Sequence, residues 1–242
     1  MTERLYHQDA YLARFEARLT AVAEQAVALD RTAFYPGGGG QPCDLGVLQV
    51  AGRPLLVTSV QAKSGEIWHQ LQEVPPPVGT PVQGELEWGR RFQLMRTHTA
   101  MHILCGVIWR DYGASVTGGN MEPLHGRMDF EFESMRAELV REIEGKINRE
   151  VEAARPVKSA ILPREQAFEI PDLIRTKINL LPEGIQQVRV VEIEGLDLQA
   201  DGGTHVSNTK EVGPIRIVDY KSKGKINKRL VVELEPGDTS SV

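Results

Sequence analysis

The chain has 242 residues, enough for one large domain or two small ones, each with its own core. Its hydrophobic fraction of 41% and charged fraction of 25% are those of a globular protein, and no apolar run approaches the roughly 20 residues of a membrane span. A net charge of -5 argues against broad, charge-driven binding of nucleic acid but leaves room for a local basic patch, and two cysteines, Cys43 and Cys105, are too few for a disulfide scaffold or a zinc ribbon.

The polar N-terminus, residues 1–9, lacks a signal-peptide apolar segment, so the expected location is cytoplasmic. Residues 11–23 can be read two ways. Their alanine, leucine, arginine and glutamate content favours a helix, while Phe15, Ala17 and Leu19 alternate as in a strand. Residues 32–41 contain four consecutive glycines, Gly37 to Gly40, and close on Gln41. Such a run weakens the fold locally and permits close backbone approach to a ligand or another domain; its plainer reading is a flexible hairpin loop. No Gly-Lys-Ser/Thr follows it, so it is not a P-loop. Asp44-Leu45-Gly46 and Ser64-Gly65-Glu66 are turn signals between strands at 47–50 and 55–60, and a further strand is expected over 82–88.

From residue 91 the texture changes. Residues 91–110 read as a buried helix carrying His98 and His102. Spacing of four places both imidazoles on one face, within reach of one metal ion, although such pairs are more often incidental. Residue 99 is Thr, so the His-Glu-x-x-His protease motif lacks its general base. Met128, Phe130 and Phe132 alternate with charged residues as in a half-buried strand. Ser134 is a candidate N-cap for a helix whose apolar stripe is Leu139, Ile143, Ile147 and Val151, and which Pro156 ends. Residues 188–193, 215–220 and 230–234 read as strands. Between them lies Asp201-Gly202-Gly203-Thr204-His205, where the glycines make a tight turn that either aims a histidine at a site or simply joins two strands. Lys221, Lys223, Lys225, Lys228 and Arg229 form a basic cluster, read as a solvated hairpin for the most part and alternatively as a phosphate contact. Helices interleaved with antiparallel strands give an α+β class.

Taken in order, Arg31-Thr-Ala-Phe-Tyr-Pro36, Gly38-Gly-Gly-Gln41, His98-Thr-Ala-x-His102 and Gly202-Gly-Thr-His-Val206 resemble the AlaX family of free-standing alanyl-tRNA editing proteins, itself similar to the editing domain of alanyl-tRNA synthetase. The resemblance runs from about residue 29 to 210. It implies an α+β protein with a small N-terminal β-barrel domain (1–90), which favours strands over a helix for 11–23. An antiparallel-sheet editing domain with packed helices (91–242) follows, and no room is left for a synthetase catalytic domain. It implies one zinc per chain on His98, His102 and His205, the residues expected to carry catalysis. It implies substrate contacts from Thr32, Gly38, Gly39, Gly40 and Gln41, with Thr32 and Gln41 as candidates for recognising the hydroxyl that distinguishes serine from alanine. The expected partner is aminoacyl-tRNA(Ala), not a membrane. The expected reaction is hydrolysis of the aminoacyl ester of Ser-tRNA(Ala), and of Gly-tRNA(Ala) as a further substrate. The competing readings are a non-catalytic zinc or tRNA-binding module of the same fold and a small-molecule amidase or peptidase. Many family members carry a cysteine where this chain has Asp201. Aspartate there is either a fourth metal ligand at about 2.0–2.2 Å or a hydrogen-bond acceptor behind a ligand.

Overall fold

The computed structural model describes residues 1–175 and 184–237. The chain divides into two compact units, Met1–Gln93 and Leu94–Val242.

The first unit is built on a closed antiparallel barrel. Its strands are β2 (Arg14–Ala23), β3 (Ala26–Leu29), β5 (Gly46–Val50), β6 (Arg53–Lys63), β7 (Glu66–Leu71) and β8 (Pro81–Leu86), paired in the order β2-β3-β7-β6-β5-β8. Two short strands, β1 (Glu3–Arg4) and β4 (Arg31–Thr32), pair in parallel beside it. Alternation decides the ambiguous segment at 11–23. In β2 the side chains of Phe15 and Leu19 enter the barrel core with Val27, Leu29, Val60 and Ile67, and the partners in β3 and β8 supply the backbone bonds that a helix would have made internally. Gly84 lies opposite Phe15; a Cβ there would sit 2.3 Å from the ring, so the aromatic fills the space that glycine leaves. The expected strand at 82–88 stops at Leu86, because Trp88 already opens the long helix α1 (Trp88–Tyr112).

Asp44 reads as a turn former in the sequence, but the structure uses it as a buried counter-ion. Its carboxylate pairs with Arg91, which is fully buried, and accepts the Tyr35 N–H at 2.6 Å. Arg91 also donates to the carbonyls of Ala33 at 2.6 Å and Ala10 at 2.8 Å. Both ends of the glycine-rich segment are thereby tied to one guanidinium, and burial of the pair is tolerable because its donors and acceptors are so fully used.

The second unit has a four-stranded antiparallel sheet of β9 (Val116–Glu122), β10 (His125–Glu131), β14 (Ile215–Ser222) and β15 (Asn227–Leu234), in the order β14-β15-β10-β9. A three-stranded sheet follows the order β11 (Val157–Pro163), β12 (Gln187–Ile193), β13 (Asp197–Ala200). Helix α2 (Ala137–Glu152) buries Val140, Ile143, Ile147 and Val151, close to the expected stripe. It starts later than Ser134 suggests: Arg136 stands at the N-cap with no side-chain hydrogen bond, so Ser134 is not the cap. From α2, Asn148 receives the Ile215 N–H at 2.9 Å and donates to the Ile215 carbonyl at 2.8 Å, and Glu144 accepts the Ile217 N–H at 2.7 Å. A short helix, α3 (Arg164–Phe168), packs with β11 and β12. The α+β architecture matches the expectation. Among the described residues no helix is long and apolar enough to cross a membrane.

Candidate metal centre

Helix α1 is buried all round along its middle turns, with Leu94, Met95, Ala100, Ile103, Leu104, Val107 and Ile108 inaccessible to solvent and Arg96, Thr97, His98, Thr99 and His102 buried among them. Histidines on such a helix are sequestered unless something binds them. His98 and His102 lie one turn apart with ring centroids at 5.1 Å. His205 joins them, 4.2 Å from His98 and 4.7 Å from His102. It is delivered by the loop that follows β13. There Asp201 folds the chain back by accepting the Gly203 N–H at 2.8 Å, while Arg189 of β12 donates to the carbonyls of Asp201 at 3.1 Å and Gly203 at 2.9 Å.

One donor atom from each of His98, His102, Asp201 and His205 lies within 4.8 Å of all the others. The Asp201 carboxylate stands 3.5 Å from His98 Nε2 through one oxygen and 3.0 Å from His205 Nε2 through the other. A tetrahedral ion with bonds of about 2.0–2.1 Å has donor–donor edges of roughly 3.3 Å, so the cluster is near the size that such an ion needs. Three imidazoles and a carboxylate are also a donor set of the hardness that suits a divalent transition metal.

The outward nitrogens are engaged as well. Asp197 accepts from His102 Nδ1 at 3.1 Å, and Thr99 Oγ1 lies 3.1 Å from His205 Nδ1 while accepting the Val206 N–H at 3.3 Å. These bonds leave the Nε2 atoms of both rings for the cluster. Burial sets the protonation. It holds His98 well below the usual imidazole range and lowers His205 to about 4, so both prefer to be neutral, the form in which imidazole binds a cation. Burial also opposes charge on His102, yet the hydrogen bond and charge of Asp197 outweigh it and raise its pKa. Burial opposes ionisation of Asp201, but the surrounding imidazoles, His98 first, hold its carboxyl well below the ordinary range.

The structure thus brings together within the second unit the three histidines expected to hold a metal and Asp201, expected either as a fourth ligand or as an acceptor behind one. The five expected substrate-contact residues lie in the first unit. Gly37, Gly38, Gly39 and Gly40 all have positive φ, from 58 to 134°, and the run closes into a tight turn with Gly38 and Gln41 exchanging backbone hydrogen bonds at 3.0 and 2.9 Å. Gln41 is buried at the end of that turn. Thr32 is buried too. His69 Nδ1 lies 3.3 Å from the Val27 carbonyl and must donate to it, so its Nε2 accepts the Thr32 hydroxyl proton at 2.9 Å; the same hydroxyl accepts the Phe34 N–H at 3.1 Å. Burial lowers His69 to about 4, in keeping with a neutral ring.

Of the basic cluster, Lys221 pairs with Asp219, Arg229 makes a two-pronged pair with Asp129, and Lys228 is buried with its ammonium on the carbonyls of Gly224 and Lys225. Lys223 and Lys225 remain exposed at the β14–β15 hairpin tip. Cys105 is buried, which pushes its thiol pKa up, and Cys43 is half-buried. Asp197, Thr99 and Arg189 are the site residues that sequence reasoning missed. Only Thr99 left a signal, as the residue standing where a protease would have glutamate.

Two family models match the chain. One, described as the second additional domain of threonyl and alanyl tRNA synthetases, matches residues 188–231; the other, class II (A) tRNA synthetases, matches residues 8–90. The alanyl-tRNA editing protein AlaX-M of Saccharolobus solfataricus is 40% identical over 241 residues, covering 98% of this chain and all of that protein. AlaX-M of Methanosarcina acetivorans is 37% identical, with 97% of this chain and 99% of that protein covered. The alanine–tRNA ligase of Thermococcus kodakarensis is 39% identical over 226 residues, 90% of this chain but 24% of that enzyme.

Proposed function

The chain belongs to the AlaX-M family of alanyl-tRNA editing proteins, and on that premise we propose that it hydrolyses the ester joining a wrong amino acid to alanine tRNA. Its substrates are Ser-tRNA(Ala) and Gly-tRNA(Ala), and it works with one zinc ion held by His98, His102, His205 and Asp201. The observation that carries this reading is the buried cluster of three imidazoles and a carboxylate on the two motifs shared with the family. When bound, zinc supplies Lewis acidity for an ester carbonyl or a water of lowered pKa. The protein's own part is to hold His98 and His205 neutral by burial and to orient the rings toward the cluster. Asp197 and Thr99 turn the rings, Arg189 fixes the Asp201 turn, and the apolar faces of α1 exclude bulk water.

The same proposal divides the chain into a barrel domain (1–90) and an editing domain (91–242). It gives substrate contacts to Thr32, Gly38, Gly39, Gly40 and Gln41, supported by the resemblance of that segment to the family. The Thr32 hydroxyl spends its proton on His69 and one lone pair on Phe34, so one lone pair is left to accept from a serine hydroxyl. Alanine and glycine offer no such donor, which makes Gly-tRNA(Ala) the poorer substrate of the two.

The deciding experiment incubates the protein with Ser-, Gly- and Ala-tRNA(Ala) and follows release of each amino acid, alongside metal analysis. Release from Ser-tRNA(Ala), slow release from Ala-tRNA(Ala), and about one zinc per chain are expected. His98→Ala and His205→Ala should lose both zinc and release. Failure to release serine, or release undiminished in both variants, would sink the reading.

A further inference from the structure

His98 and His102 continue along one face of α1 to a third position, Gly106, one turn further on. Glycine in the interior of a helix weakens it. What meets the helix there explains its presence. A Cβ at residue 106 would lie 3.0 Å from Cβ of Asp197 and 3.0 Å from Cγ of Leu196, with the Leu196 carbonyl at 3.2 Å. Asp197 and Leu196 enter at the start of β13, off a turn pinned by the Leu196 N–H on the Ile193 carbonyl at 2.9 Å.

The carboxylate that uses this notch is almost fully buried. One oxygen of Asp197 accepts His102 Nδ1–H at 3.1 Å and Gln199 Nε2–H at 2.7 Å; the other is 3.6 Å from Nε of Arg175, whose guanidinium lies over the Trp109 ring at 4.7 Å. A carboxylate can only accept, so His102 must carry a proton on Nδ1, which in the neutral ring leaves Nε2 bare toward the cluster. We propose that Gly106 and Asp197 work as one positioning unit for the metal site: the missing side chain at 106 admits the Asp197 carboxylate, which fixes the ring plane and tautomer of His102. Neither residue is a ligand. The unit rests on the zinc reading above and extends it to two residues outside the family motifs.

Zinc affinity, read by competition with a chromophoric chelator, tests the unit without any tRNA. Asp197→Ala should bind zinc about 10–100-fold more weakly than the wild type, the usual loss when the acceptor behind a ligating histidine is removed. Asp197→Asn keeps an acceptor oxygen and shape, so it should recover part of that loss. Gly106→Ala should lower affinity in the same direction. In an Asp197→Ala background, adding Gly106→Ala should cost less than it does alone, because the carboxylate it displaces is already gone. Circular dichroism and melting of each metal-free variant identify general misfolding, and the isosteric Asp197→Asn keeps the test open if Gly106→Ala does not fold. Wild-type affinity in Asp197→Ala, or fully additive losses in the double variant, would overturn the unit while leaving the zinc reading intact. A wild-type protein that takes up no zinc would overturn both.

Discussion

Asp201 is the residue where this chain departs from the cysteine common in the family, and its position bears on which role it plays. An acceptor that merely supports a ligating histidine sits behind the ring, as Asp197 sits behind His102. Asp201 instead faces Nε2 of both His98 and His205, on the inner side of the cluster. That placement favours direct ligation. Asp201→Ala should therefore cost more than the 10–100-fold typical of a supporting residue, with zinc stripped readily by chelator, and Asp201→Cys should restore tight binding. Retention of zinc at wild-type affinity in Asp201→Ala would remove the residue from the site. Thr32 gives a second test. Thr32→Val removes the hydroxyl assigned to serine, and a lost buried hydrogen bond of about 1–3 kcal/mol should narrow the Ser-to-Ala preference by roughly tenfold or more. An unchanged ratio would leave Thr32 as a partner of His69 alone. The histidines themselves were legible in the sequence because spacing and motif order are local signals. Asp197 was not, since it meets His102 across 95 residues of sequence and no pattern around it announces the contact.

At the scale of elements, period and propensity competed. Over residues 11–23 alanine and leucine pulled toward helix, and barrel closure through β3 and β8 decided for strand. The start of α2 was misplaced because Ser134 has the chemistry of a cap, but the first residue of the helix is Ala137. The basic hairpin shows why charge runs overstate surface charge: three of its five cations are already answered within the protein. The barrel has a pH response of its own through His69. A pKa of about 4 in the folded state, against about 6.5 when unfolded, means that the unfolded chain binds more protons between those values. The stabilisation is fully present above about pH 6.5 and falls as pH drops toward 4, by up to about 3 kcal/mol. Comparing wild type with His69→Leu cancels the other histidines: the variant's urea midpoint should fall less steeply over this window. Parallel slopes would mean that His69 is not buried neutral.

For the molecule as a whole, the α+β class and the family were readable in the sequence, because they rest on motif order and on strand and helix periods. What was not readable is how exposed backbone is finished off. Strand β14 is the last in its sheet, and an outermost strand invites another chain to add to it. Here the Asn148 carboxamide, through its amide N–H and its oxygen, exchanges bonds with both backbone groups of Ile215 much as a neighbouring strand would, and Glu144 takes the next edge N–H at Ile217. A helix side chain thus impersonates a peptide group and closes that end of the edge to self-recruitment. Asn148→Ala would uncover it. Its expected signature is not lost editing but light scattering that begins at a lower temperature and rises with protein concentration; scattering identical to that of the wild type would show that the edge is guarded by something else.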